Sequence, residues 1–117
     1  MEQFKLHPDE KLLINDPYAS WMKSDLMVIP GSLKLTNKRL VFVKNANPFG
    51  GVLKLLIKSM GSYILHEYPL TKEIVVARET HFKSERLVID NGIERPKEYM
   101  TSKIEVLMSE LKRLTGK

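Results

Sequence analysis

A run of alternating apolar and polar residues around a central Asn-Lys pair constrains this chain more than any other feature. The run is GSLKLTNKRLVFVK, from Gly31 to Lys44. If Asn37 and Lys38 form the turn, two apolar pairs face each other on one side of the ladder. These pairs are Leu35 with Leu40 and Leu33 with Phe42. The sequence therefore predicts an antiparallel β-hairpin with one apolar face.

The other face of this hairpin is cationic. Lys34 and Arg39 point away from the apolar side, and Lys38 lies at the turn. Two interpretations are open, a solvated strand face or a surface that binds an anionic partner. An ion pair with an acid from another strand, such as Glu67, would favour the first interpretation.

The charge distribution supports the second interpretation, a surface that binds an anionic partner. The formal net charge is +5, and every acidic residue lies at or before Asp25 or at or after Glu67. The six basic residues between them are Lys34, Lys38, Arg39, Lys44, Lys54 and Lys58. This stretch carries +6, whereas the rest of the chain sums to −1. The cationic charge is therefore local in sequence.

Further short runs with strand character surround the hairpin. They are Lys11 to Asn15, Tyr18 to Met22 (a separate strand or a continuation past Asp16-Pro17), Leu26 to Ile29, Tyr63 to Tyr68, Glu73 to Arg78 and Arg86 to Asp90. Asn91-Gly92 predicts a tight turn after the last of them. The chain then ends differently, because Ser102 and Glu105 have the spacing of a capping box. Apolar residues recur from Ile104 to Leu114, which predicts an amphipathic C-terminal helix that closes the core.

Pro48 to Ser62, PFGGVLKLLIKSMGS, interrupts this strand pattern. On a helical wheel Leu53, Leu56 and Ile57 share a face, and Lys54 and Lys58 lie four apart on another. The sequence predicts a short helical insertion around residues 51–60. One interpretation packs it on the barrel. The other places the apolar face in lipid and the two lysines at the headgroups.

Length and composition limit the class of protein. The 117 residues suit a single domain, 1–117, and the absence of cysteine indicates a reducing compartment, with the cytoplasm as the expected location. We find no signal peptide and no run of about eighteen uncharged apolar residues that would span a membrane. His7, His66 and His81 show no metal-ligand spacing, and no catalytic motif is present. The sequence therefore predicts no enzyme, no metal and no cofactor.

Three segments resemble the GRAM domain family and its stand-alone relatives in bacteria and archaea. GSLKLTNKRLVFV is similar to the central family motif, YPLTKEIVV (Tyr68 to Val76) to the next, and HPDEKLL to the usual entry into the first strand. Taken together, the resemblance covers nearly the whole chain. The resemblance implies a pleckstrin-homology-like fold, a bent antiparallel split barrel that is mainly β with a C-terminal α-helix. It also implies binding of membrane lipids or protein segments rather than catalysis.

The predicted function is a non-catalytic binding or scaffolding module that engages protein segments or an anionic membrane surface. The predicted anion-binding residues are Lys34, Lys38, Arg39, Lys54 and Lys58, and the predicted membrane contacts are Leu53, Leu56 and Ile57. Each cation near an anionic leaflet contributes about 1 kcal/mol, so charge alone gives weak, peripheral attachment. The alternative is a nucleic-acid-binding basic barrel, which the inward position of Phe42 disfavours. The oligomeric state stays open.

Overall fold

The computed structural model describes residues 3–24, 26–45, 62–71, 73–81 and 84–116. Its elements are β1 (Leu12–Ser24), β2 (Met27–Thr36), β3 (Arg39–Asn45), β4 (Ser62–Pro69), β5 (Val75–His81), β6 (Ser84–Asp90), β7 (Lys97–Met100) and the helix α1 (Ile104–Thr115). The seven strands form one antiparallel sheet in the order β4-β3-β2-β1-β7-β6-β5, which is not closed. The predicted fold class is confirmed. The predicted insertion around residues 51–60 lies outside the described residues.

The central hairpin has the predicted register. Leu35 pairs with Leu40 and Leu33 with Phe42 across β2 and β3, and all four side chains are buried. At the turn the Thr36 hydroxyl accepts the backbone N–H groups of both residues that follow Asn37, at 3.0 Å each. The alternation of residues thus fixes which side of the hairpin faces the core.

Gly31 has a steric role at the start of this hairpin. A Cβ atom built there would lie 2.4 Å from the Val43 carbonyl oxygen and 2.8 Å from the Phe42 ring. Only glycine lets the two strands approach this closely without a shift of the backbone.

β1 is one long strand that joins the two halves of the sheet. It pairs with β2 along most of its length and with β7 near its end. The strand continues past Pro17, and the register with β2 shifts between Asp16 and Ala19. At this bulge the Asp16 carboxylate accepts the Tyr18 N–H at 3.0 Å. The run from Leu26 to Ile29 likewise belongs to β2 rather than to a strand of its own.

The predicted tight turn at Asn91-Gly92 is wrong. Ile89 pairs with Lys97, and the connection between β6 and β7 runs from Asn91 to Pro96. The Asn91 side chain accepts the N–H groups of the second and third residues after it, each at 3.0 Å, and so widens the loop. Gly92 supplies the required positive φ of 77°.

The predicted capping box of α1 is also wrong. Lys103 is the N-cap residue and makes no side-chain cap hydrogen bond, while the Thr101 hydroxyl accepts the Lys103 N–H at 3.1 Å. Because Thr101 turns the chain before the helix, Ser102 does not occupy the capping position. The end of the helix is as predicted, with Gly116 at a left-handed φ of 79°.

One hydrophobic core holds the sheet and α1 together. The helix packs against β5 and β6 and contributes three buried apolar residues, Ile104, Leu107 and Leu111. Their partners in the core include Leu33, Leu35, Phe42, Leu87, Ile89 and Tyr99. Within the described ranges, no helix has both the length and the apolar character needed to cross a bilayer.

Candidate functional site

The predicted cations of the central hairpin occupy three different environments. Lys38 is exposed at the turn. Lys34 is half-buried, and its ammonium donates to Asn15 Oδ1 at 2.9 Å. Burial lowers the pKa of Lys34 below its ordinary value. Both Lys34 and Arg39 point away from the main core, as predicted.

Arg39 is buried and engaged within the chain. Its Nε donates to Glu10 Oε2 at 2.9 Å, its Nη2 to the Lys5 carbonyl at 2.7 Å, and its Nη1 to Glu67. The hydrogen bond to Glu10, more than any other contact, raises the pKa of Arg39. Arg39 therefore has a structural role, and its charge is balanced inside the fold. This is the arrangement of the first interpretation, in which an internal acid neutralises the cation.

Glu10 is the buried partner of this ion pair. Burial acts to raise the pKa of Glu10, but hydrogen bonds from Arg39, Thr36 and the His7 N–H lower it to about 2. The carboxylate is therefore ionised throughout the neutral range. The remaining predicted site residues, Lys54, Lys58, Leu53, Leu56 and Ile57, lie outside the described residues, and their roles stay predictions.

Three connections leave the sheet at the end opposite to the central turn. They join β1 to β2, β3 to β4 and β6 to β7. Because β3 has seven residues, about 20 Å separate this end from the turn at Lys38. We call it the open end, since α1 begins beyond the other end of β7. The side chains at or near this end include Trp21, Lys23, Leu26, Met27, Val28, Lys44, His66, Glu94 and Lys97.

The tip of the open end is apolar and exposed. Leu26 is 98% exposed, Met27 48% and Val28 47%. These residues follow the β1–β2 turn directly, where few neighbouring strands are available to cover them. Lys23 lies just before the turn, with its ammonium 6.0 Å from the Trp21 ring centre. A contiguous apolar tip beside a cation is typical of an interaction surface.

Two lysines at the open end lack an acidic partner among the described residues. Lys23 and Lys44 form no ion pair there, and Lys44 continues the face of β3 that carries Phe42. Lys97, in contrast, pairs with Glu94 at 2.6 Å. The described part of the open end therefore offers an apolar tip with Lys23 beside it and a second unpaired cation, Lys44, near the end of β3.

A chain of polar aromatic side chains extends from the core towards the open end. The hydroxyls of Tyr68 and Tyr99 lie 2.5 Å apart, and the Tyr99 hydroxyl lies 2.8 Å from His66 Nδ1. Trp21 packs edge-on against the His66 ring, with 4.3 Å between ring centres. Each buried hydroxyl thus has a hydrogen-bond partner, which a core position requires.

His66 is neutral at physiological pH. Burial and then the charge of Lys97 lower the pKa of His66 to about 4, against a smaller opposing effect of Glu94. No group of three or more metal-ligating side chains occurs within the described ranges. What the open end offers is apolar contact, aromatic surface and positive charge.

The depressed pKa of His66 predicts a pH dependence of stability. As the pH falls from about 6.5 to about 4, the unfolded chain binds a proton at His66 that the folded chain does not. The contribution of neutral His66 to the free energy of unfolding is therefore fully present above pH 6.5 and is lost progressively towards pH 4. Urea midpoints measured between pH 7 and pH 4.5 are expected to fall less in His66→Asn, whose Oδ1 can accept from Tyr99. Equal slopes for parent and variant would contradict this expectation.

Sequence reasoning placed Leu26 to Ile29 in a strand but missed the exposed tip. A signal was present, since four consecutive apolar residues follow a turn with no polar alternation. Residues of a strand point alternately to opposite faces, so such a run cannot all face one core. Lys23 was missed because it lies before Asp25, outside the acid-free stretch.

No protein-family model and no curated protein matches the chain. The chain is similar to the DH/PH domains of p115-RhoGEF in a mutant form, with a TM-score of 0.66 and 9% identity, over 92% of this chain and 31% of that one. It is also similar to the DH/PH domains of PDZ-RhoGEF in complex with activated RhoA, with a TM-score of 0.60 and 12% identity, over 91% and 29%. The chain thus spans about a third of the length of the chains it matches. The GRAM relationship stays a prediction, but the fold itself is pleckstrin-homology-like.

Proposed function

We propose that this chain is a non-catalytic binding module that docks onto an anionic membrane surface with its open end. The observation that carries the proposal is the exposed apolar tip, in which Leu26 is 98% exposed. A side chain this exposed gains nothing from the fold and gains free energy when it enters lipid. Lys23 and Lys44 would then lie near the headgroups.

The magnitudes fit a reversible attachment. Complete burial of a leucine-sized side chain contributes about 1.5–3 kcal/mol. Each lysine near an anionic leaflet contributes about 1 kcal/mol, which salt screens. The tip and two lysines together contribute on the order of 5 kcal/mol by these figures. Such binding is peripheral and sensitive to ionic strength.

The predicted helical insertion would add to the same surface. The backbone enters that segment after Asn45 and leaves it at Ser62, which pair with each other at the open end. If Leu53, Leu56 and Ile57 contact lipid as the sequence predicts, their face extends the apolar tip. The central turn is a weaker candidate, because Arg39 is buried and Lys34 is half-buried.

A protein partner is the second candidate. The observation in its favour is that the similar PDZ-RhoGEF structure is a complex with activated RhoA. A protein partner would also cover the apolar tip, but it would not require an anionic lipid. The experiment below separates the two.

Sedimentation with vesicles at low and high salt tests the membrane proposal. The parent is expected to sediment with anionic phosphatidylserine vesicles at low salt and much less with neutral vesicles. Leu26→Ser/Met27→Ser is expected to weaken this binding tenfold or more, since about 1.4 kcal/mol corresponds to tenfold. Val106→Ser, an exposed apolar position on α1, is the matched control.

Two results would contradict the membrane proposal. One is a parent that does not sediment with anionic vesicles at any salt concentration. The other is a tip variant that binds as the parent does. If Lys34→Glu/Lys38→Glu weakens binding and the tip variant does not, the central hairpin is the contact surface instead.

A further inference from the structure

The face of the central hairpin that is turned away from the main core is itself buried. Val41 is 0% and Val43 1% exposed, yet neither belongs to the main hydrophobic cluster. Residues 3–10, which we call the N-terminal segment, lie along this face. Gln3 forms an isolated antiparallel bridge with Tyr63 at the edge of the sheet. The hairpin therefore has a second, covered side.

Two side chains of the N-terminal segment engage this face. Glu10 accepts hydrogen bonds from the Thr36 hydroxyl at 2.6 Å and from Arg39 Nε at 2.9 Å, and its side chain is fully buried. Six residues earlier, the Phe4 ring lies 5.2 Å from Arg39 Cζ and 5.5 Å from Lys34 Nζ. A carboxylate and an aromatic ring thus bind a cationic face that also carries buried valines.

The N-terminal segment contacts the hairpin as a bound peptide would. Between Phe4 and Glu10 it contains no helix or strand. Its polar contacts with Arg39 come from the Glu10 carboxylate and from the Lys5 carbonyl. Side-chain anchors in an otherwise irregular segment are features of a docked ligand rather than of a sheet strand.

We propose that this face is a peptide-docking groove and that the N-terminal segment is its built-in occupant. The groove fits an acidic peptide of a partner protein that carries an aromatic residue six positions before a carboxylate and makes a turn like that from His7 to Glu10, where the Glu10 N–H donates to the His7 carbonyl at 3.0 Å. A partner peptide would dock by replacing Phe4 and Glu10. Since the carboxylate of the peptide replaces that of Glu10, Arg39 is paired with a carboxylate before and after the exchange. No buried charge is therefore left unpaired once the peptide has bound. This proposal rests on the contacts of Phe4 and Glu10 with Arg39, not on the exposed tip, and is independent of the membrane proposal.

The built-in occupant sets the affinity for a partner. A tethered segment has a high effective concentration, so the groove of the parent is free only in a small fraction of molecules. The apparent dissociation constant for an added peptide rises by the inverse of that fraction. Weakening the anchors of the segment must therefore strengthen the binding of a peptide in trans.

The test uses the 117-residue chain and a fluorescein-labelled peptide with the sequence of residues 1–12. Phe4→Ala/Glu10→Gln, which keeps a hydrogen-bond acceptor for Thr36, is expected to bind the peptide at least tenfold more tightly than the parent does. A peptide with Glu10→Gln and Phe4→Ala is expected to bind at least tenfold more weakly to the same variant. Lys112→Ala, at an exposed position on α1, should bind like the parent. Fluorescence anisotropy measures all of these.

Phe4→Ala alone keeps the ion pair and provides a second variant in case the double variant does not fold. Folding is checked by circular dichroism. The proposal is overturned if a folded variant binds the peptide no better than the parent, or if the altered peptide binds equally well. Loss of folding in both variants would also overturn it, because the segment would then be an integral part of the core.

Discussion

Replacing Arg39 by methionine is expected to lower the free energy of unfolding by about 3–5 kcal/mol, the range for removing one partner of a buried ion pair. The reason is that Glu10 would keep its charge inside the protein without its cation. The Glu10 side chain is fully buried, and Arg39 supplies hydrogen bonds from both Nε and Nη2. Urea unfolding monitored by circular dichroism measures the change.

Two matched variants show whether the ion pair is the cause. Lys38→Met changes the neighbouring, exposed cation and is expected to stay within about 0.5 kcal/mol of the parent. Glu10→Gln should lower the free energy of unfolding less than Arg39→Met does, because Arg39 would still contact Glu67 and the Lys5 carbonyl. If Arg39→Met unfolds at the same urea concentration as Lys38→Met, the buried ion pair does not stabilise the fold as described.

Acid titration gives an independent check of the same ion pair. The pKa of Glu10 is about 2 in the fold and near 4.5 in the unfolded chain. The contribution of ionised Glu10 to the free energy of unfolding is therefore fully present above about pH 4.5 and is lost as the pH falls towards 2. This range lies below that of His66, so the two groups can be distinguished in one series of unfolding measurements.

Leu111→Ala is expected to destabilise the protein by about 2–5 kcal/mol, as a cavity in a packed core does. Leu111 is fully buried on the face of α1 that packs against the sheet. Val106→Ala on the exposed side of the same helix is the control, with an expected change below about 1 kcal/mol. Both are compared by urea midpoint at neutral pH. An unchanged midpoint for Leu111→Ala would mean that α1 is peripheral to the fold.

The central hairpin and the terminal helix could be predicted because their signals are local. Apolar residues at every second position predicted the pairing of Leu33 with Phe42. Apolar residues with a period near 3.6 predicted the buried face of the helix around Leu111. The local signals were weaker at turns. Asn91-Gly92 has the composition of a tight hairpin turn, but the Asn91 side chain caps a wider loop. At the start of α1, Lys103 rather than Ser102 is the N-cap residue, and the Thr101 hydroxyl accepts its N–H.

The environment of Arg39 could not be predicted because its partners are distant in sequence. Glu10 precedes it by 29 residues and Glu67 follows it by 28. The alternation of apolar and polar residues correctly predicted that Arg39 points away from the core. It carries no information about a segment that covers the outer face of the hairpin. The open end was missed for the same reason. It forms only when three connections, remote in sequence, converge at one end of the sheet.

The orientation of the protein on a membrane tests the central claim most directly. The chain contains no cysteine, so Leu26→Cys and Lys38→Cys each provide a single site for an environment-sensitive fluorophore. With anionic vesicles, we expect the emission of the label at position 26 to shift to the blue and that of the label at position 38, about 20 Å away or more, to stay unchanged. A shift at position 38 without one at position 26, or no shift at either position, would contradict docking by the open end.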